Sequence, residues 1–224
     1  MTSTKEQLTL SLPCRESLGG EDFLIAASNQ DAVAWIDRWP AWPNNVLLLH
    51  GPAGSGKSHL AAVWQAASGA ASLPASALDD AAVARAREHP RLVLEDADRQ
   101  RTREFETALF HLINSIRETG GSLLITSRKP AGRWRAKLPD LASRLRALPQ
   151  TGLKEPDEAL MAAVLIKQFS DRQLRIGVDL ADYLVARLDR SFDRLRDAVD
   201  SLDRAALAER RPLTIPFARK ILNL

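Results

Sequence analysis

Three short apolar runs stand out along the chain: Val46–Leu49, Leu92–Leu94 and the interior of Ser122–Thr126. Each has the length and apolar continuity of a strand buried on both faces. Around them the apolar positions recur at intervals of three and four. Asp31–Trp39, His59–Ala67 and a segment from about Thr102 to Glu118 follow that spacing, the last with Phe105, Leu109, Leu112, Ile113 and Ile116 on one face. Strands alternating with helices predict a parallel sheet covered on both sides, an α/β body. After about Gly152 the strand-type runs stop. Glu155–Ser170, Asp179–Arg190 and Phe192–Glu209 keep helical period only, and Phe192, Leu195, Val199, Leu202 and Ala206 form the clearest stripe. Thr214 is placed to cap a last short helix with Phe217, Ile221 and Leu224 on one side. The pattern divides the chain into a tail (1–20), an α/β body (21–152) and a small all-helical C-terminal domain (153–224).

Composition narrows this picture. Aromatic residues make up only 5% of the 224 positions, so the core must be built mainly from Leu, Val, Ile and Ala. The 31 basic residues are set against 28 acidic ones, a balance that permits contact with nucleic acid and does not require it. The single cysteine, Cys14, can form no internal disulfide, which fits a reducing compartment. No apolar stretch near the N-terminus resembles a signal peptide, and the longest apolar run, Ala159–Ile166, is too short to span a bilayer. A cytoplasmic protein without membrane contact is expected.

The first apolar run leads into Gly51-Pro52-Ala53-Gly54-Ser55-Gly56-Lys57-Ser58, a full Walker A sequence, with His59 opening the helix that follows. Glycines there let backbone N–H groups curl around a phosphate, and the helix N-terminus favours negative charge. Lys57 would reach the β- and γ-phosphates, and the Ser58 hydroxyl would hold Mg²⁺. The second run ends in Glu95-Asp96, carboxylates suited to Mg²⁺ and to orienting an attacking water. The third ends in Thr126-Ser127, hydroxyls placed either to sense a phosphate or simply to make a turn. Between Arg128 and Lys137 five basic residues occur with no acid, which reads as a solvated loop or as a contact for phosphates or a partner protein.

The order of these motifs resembles an AAA+ P-loop ATPase body, a parallel sheet flanked by helices, followed by a helical lid. More narrowly it is similar to the DnaA-related branch. Phe23-Leu24-Ile25 with Ser28-Asn29 resembles the segment that packs around adenine there, which implies Phe23 and Ile25 as base contacts. Leu138-Pro139-Asp140-Leu141-Ala142-Ser143-Arg144-Leu145 resembles that branch's arginine-finger box, and Leu213–Phe217 with Ile221–Leu224 resembles the end of the Hda family, DnaA-related factors of regulatory inactivation. Gln7-Leu8-Thr9-Leu10-Ser11-Leu12 resembles the peptide with which that family docks on the β sliding clamp. Alternating Leu8, Leu10 and Leu12 suit an apolar groove with Gln7 at its edge; alone they would suit a short strand equally. The resemblance implies a protein without the DNA-binding and helicase-binding domains of DnaA.

The resemblance implies a negative regulator of replication initiation in a bacterial cytoplasm, at the nucleoid or replisome. Its partners would be the polymerase β clamp and the initiator DnaA, with DNA met mainly through the clamp. Arg144 would stabilise charge on ATP held by DnaA, while the chain itself holds ADP or ATP with Mg²⁺ through Ser58, Glu95 and Asp96. Two departures matter. Glu95 precedes Asp96 where the usual order begins with Asp, and the lid offers Arg194 after Asp193 rather than a clean sensor arginine. Both suit a chain that hydrolyses ATP poorly by itself. Nucleotide-dependent head-to-tail assembly of copies is left open. Two other function classes stay open: a helicase-loader-like AAA+ protein acting on DNA, which the basic run would serve, and a small P-loop kinase, for which no acceptor pocket is evident.

Overall fold

The computed structural model of the chain describes residues 14–15, 23–89 and 91–224. Gln7, Leu8, Leu10 and Leu12, expected to meet the clamp, lie outside the described residues. In chain order the elements are β1 (Cys14–Arg15), β2 (Phe23–Leu24), α1 (Gln30–Asp37), β3 (Val46–His50), α2 (Lys57–Ser68), β4 (Ala71–Pro74), α3 (Asp80–Ala86), β5 (Arg91–Glu95), α4 (Arg103–Thr119), β6 (Ser122–Ser127), α5 (Pro139–Arg146), β7 (Gln150–Gly152), α6 (Glu158–Asp171), α7 (Val178–Val185), α8 (Phe192–Glu209) and α9 (Ile215–Leu222). β1 and β2 pair as a minimal sheet of their own. The chain packs as two units: Phe23 with Ala27–Glu155, and Leu24–Ala26 with Pro156–Leu224.

The first unit is built on a five-stranded sheet in the order β4-β5-β6-β3-β7, with every neighbouring pair parallel. The three strands expected from apolar runs are its three central strands. Leu47, Leu48, Leu49, Val93, Leu94, Leu123, Leu124 and Ile125 are fully buried, as strands covered on both faces require. On one face α4 lays down Leu109, Leu112, Ile113 and Ile116, the expected stripe, all fully buried. This helix starts where the Thr102 hydroxyl accepts the Phe105 N–H and stops at Gly120, whose φ is +69°. Trp64 of α2 is also buried, its ring 5.0 Å from that of Trp42 and edge-on to Trp39 at 6.1 Å.

β4 and β7, at the two margins of the sheet, and α3 and α5 go beyond what the hydrophobic pattern predicts. β4 reads Ala-Ser-Leu-Pro and β7 Gln-Thr-Gly, so neither margin strand carries an apolar run. Helix α7 stops at Val185, five residues before the expected Arg190.

In the second unit, residues 156–224 hold α6 to α9 and no strand. Phe169, Leu165, Leu184, Leu195, Val199 and Leu202 are fully buried at its centre, with Phe217 joining from α9. Arg172 ties the end of α6 to α8, its Nη2 donating to Asp200 Oδ1 at 2.6 Å. Thr214 caps α9 as expected, accepting from the Phe217 N–H. Phe169 is the largest fully buried side chain in this core, so Phe169→Ala is expected to cost about 3–5 kcal/mol of lid stability, the usual cost of emptying such a site. Urea denaturation of the variant, followed by far-UV circular dichroism, checks this.

Candidate functional site

β3 ends at His50, residues 51–56 turn, and α2 begins at Lys57. Two glycines fix this turn. A Cβ at Gly51 would stand 2.6 Å from the Leu153 carbonyl oxygen and 2.8 Å from Ser55 Oγ, so no larger residue fits. Gly56 precedes α2 at φ +93°, a conformation that side chains disfavour. The turn is tied to the sheet by the Gly51 N–H, which donates to the Ser127 carbonyl at 3.2 Å. Lys57 is buried and its ammonium donates to the carbonyls of Gly51 at 2.9 Å and Pro52 at 2.7 Å. Ser58 is exposed one residue on, and His59 stacks on Phe23 with ring centroids 5.2 Å apart.

These residues fit a phosphate. The first turn of α2 directs N–H groups that the helix does not use toward the hollow of the loop. Ser55 Oγ is buried there without a hydrogen-bond partner among the described residues. A glycine-walled turn, an orphaned hydroxyl and a buried cation are together the groups that an anion needs.

The carboxylates sit beyond an intervening strand. β6 lies between β3 and β5, in register His50 with Ser127 and Leu94 with Ile125. Glu95 and Asp96 therefore stand one strand further from the loop than an adjacent-strand arrangement gives, and Ser127 stands between. Glu95 Oε1 accepts from Ser72 Oγ at 2.9 Å. Asp96 has φ +54°; its N–H donates to Thr126 Oγ1 at 3.0 Å and its carboxylate pairs with Arg99 at 3.1 Å. Ser127 is fully buried and donates to the Lys129 carbonyl at 2.7 Å. Thr126 thus serves the turn at Asp96, a role its place in the sequence does not reveal. Ser58, Glu95 and Asp96 supply the oxygen donors that a hard cation such as Mg²⁺ takes.

His50 links strand and loop. Burial pushes its imidazole below the ordinary 6.5, and the Lys57 ammonium adds in the same direction. The folded chain then binds fewer protons than the unfolded chain below about pH 6.5, so stability present at neutral pH is lost as pH falls through that window. His50→Asn is expected to flatten this part of the pH–stability curve, measured by urea denaturation between about pH 7 and pH 5.

Arg144 is elsewhere. It lies near the end of α5 and lines a surface recess with Asn44, Asn45, Asn114, Arg117 and Glu118. Asn44 and Asn45 immediately precede β3, while the phosphate loop follows it. Five strand residues separate the two, roughly 13–17 Å. Among the described residues no carboxylate or carbonyl accepts from its guanidinium. The start of α5 is held by Glu106, a buried carboxylate that accepts from the N–H groups of Lys137 at 2.9 Å and Leu138 at 2.7 Å. Glu106 is not among the residues the sequence singles out; its one signal there is an acidic residue beside Phe105 in an otherwise apolar stripe. Ile25 and Arg194 belong to the other unit, where Arg194 pairs with Asp189 at 3.4 Å on an exposed surface.

Among the described residues no helix is long and apolar enough to cross a membrane. The family described as Hda, lid domain, matches residues 157–222. An uncharacterized protein of Haemophilus influenzae is 38% identical over 122 residues, a match covering 54% of this chain and 53% of that relative, so the chain spans about half the length of the curated relative it matches. Domain III of the Thermotoga maritima replication initiation protein DnaA has the same fold, with TM-score 0.79 over 94% of this chain and 98% of that one at 18% identity. AMPPCP-bound DnaA from Aquifex aeolicus is similar too, with TM-score 0.71 and 14% identity over 87% of this chain and 69% of that one. The chain thus has the fold of DnaA domain III, and its C-terminal helices match the Hda lid domain, in keeping with the resemblance to the Hda family.

Proposed function

We propose that this protein is a DnaA-related regulator of replication initiation that holds an adenine nucleotide and acts on ATP bound by DnaA. The observation that carries the reading is the separation within the body. The glycine-rich loop 51–56 lies at one end of β3 and the recess lined by Arg144 at the other. An arginine so placed is remote from its own chain's cradle and open to a neighbour's nucleotide.

In this reading Gly51, Pro52, Ala53, Gly54, Ser55, Gly56, Lys57, Ser58 and His59 bind the chain's own ADP or ATP, with Phe23, Ile25 and Arg194 as further contacts. Ser58, Glu95 and Asp96 would hold Mg²⁺, which neutralises phosphate charge when bound. Ser72 occupies one oxygen of Glu95 and Arg99 one oxygen of Asp96, which leaves the other oxygen of each carboxylate for a cation or a water. It is the Glu95-Asp96 order, not these contacts, that favours a nucleotide kept as a structural ligand. Ser127 would report on a third phosphate. Arg144 would enter the neighbouring DnaA, where a guanidinium stabilises the charge that builds on the transferred phosphoryl group. Gln7, Leu8, Leu10 and Leu12 would tether the protein to the β clamp, confining its action to replicated DNA in the cytoplasm.

The test is ATP hydrolysis by DnaA with the clamp loaded on DNA. Addition of this protein is expected to stimulate hydrolysis, and to do so only when the clamp is present. No stimulation would defeat the reading and favour a helicase-loader-like role.

A further inference from the structure

At the carboxyl end of the sheet, the segments that follow β5 and β6 converge. Gln100 and Arg101 lead from β5 into α4; Lys129, Arg133, Trp134 and Arg135 lie between β6 and α5; all six line one recess. The four cations are exposed. Among the described residues none of them has a carboxylate within ion-pair distance. The two carboxylates of the recess are turned to backbone: Asp98 accepts the Arg128 N–H at 3.0 Å, and Glu106 accepts those of Lys137 and Leu138. Trp134 is half-buried, and its indole N–H donates to the Lys129 carbonyl at 2.8 Å, which pins the loop carrying three of the cations.

We propose that this recess binds the phosphate backbone of DNA directly, independently of any clamp. Arginine and tryptophan also occur at protein interfaces, but the excess positive charge of four exposed cations, with no carboxylate paired to them among the described residues, is what sets nucleic-acid interfaces apart. Arg101, Lys129, Arg133 and Arg135 neutralise phosphates, and Trp134 packs against a sugar or an unpaired base.

The experiment is fluorescence anisotropy of a labelled single strand of about 20 nucleotides and of the corresponding duplex, titrated with the full chain alone at salt from about 50 to 200 mM. Arg133→Ala/Arg135→Ala is expected to weaken binding about tenfold or more at the lowest salt. It should also flatten the log–log salt dependence by about 0.9 on the duplex, or about 0.7 on the single strand, for each phosphate that is no longer neutralised. Arg101→Gln, on the other segment, gives an independent variant expected to act in the same direction. Arg85→Ala/Arg87→Ala at the end of α3 removes as much charge from exposed positions and should change neither quantity. The stronger of the two DNA probes identifies the form of backbone recognised. Three results would overturn the proposal: no binding by the parent at low salt, equal losses in the α3 control, or competition by poly-glutamate as effective as that by unlabelled DNA. The last would identify an acidic protein surface instead.

Discussion

Replacing Arg144 with alanine is expected to abolish the stimulation of ATP hydrolysis on DnaA while leaving clamp binding, nucleotide binding and stability in place. An arginine supplied to a phosphoryl transition state typically contributes about 10³–10⁵ in rate, equivalent to about 4–7 kcal/mol. The side chain makes no hydrogen bond or ion pair within the described residues, and it is only half-buried. Its removal should therefore shift the folding free energy by no more than about 0.5 kcal/mol, as for an ordinary surface change. Arg144→Lys should recover little, because an ammonium cannot reproduce the planar fork that grips two phosphate oxygens. The measurement is the single-turnover hydrolysis rate on clamp-loaded DNA, with clamp affinity measured in parallel. Retained stimulation by Arg144→Ala would remove the finger from the mechanism.

The second large effect is expected at Lys57. In the structure its ammonium closes the loop on itself through the Gly51 and Pro52 carbonyls. In the proposed reading a bound phosphate offers this ammonium full negative charge in a buried site, where charge-assisted bonds contribute about 1.5–3 kcal/mol each. Lys57→Ala should accordingly weaken ADP and ATP binding at least about a hundredfold, about 2.7 kcal/mol. Isothermal calorimetry of the variant with each nucleotide provides the test, and an unchanged Kd would take Lys57 out of the site.

The sequence carried the centre of the sheet but not its margins. β3, β5 and β6 announce themselves because burial on both faces demands uninterrupted apolar residues. β4 and β7 have a neighbour on one side only, and their residues include Ser72, Pro74 and Gln150, which no strand pattern distinguishes from loop. The turn from Gly51 to Gly56 between strand and helix was legible because its glycines lie in one contiguous run. What sequence spacing did not show is how other chain segments meet it. That Thr126 takes the Asp96 N–H depends on Asp96 adopting a positive φ, and that Glu106 holds the start of α5 depends on a side chain reaching thirty-one residues ahead. The recess around Arg144 likewise combines residues 44–45, 114–118 and 144, whose proximity follows from strand order alone.

The insertion of β6 between β3 and β5 makes the sheet a molecular ruler. Two strand spacings, about 10 Å, separate the strand feeding the phosphate loop from the strand ending in Glu95. The loop cannot shorten that gap, because Gly51 is bonded to Ser127 and Asp96 to Thr126, successive residues of the same strand. In the proposed reading a lone phosphate at Lys57 would not reach the carboxylates, whereas a chain of two or three phosphates extended by a hydrated cation would, so the geometry would discriminate by ligand length rather than by charge alone.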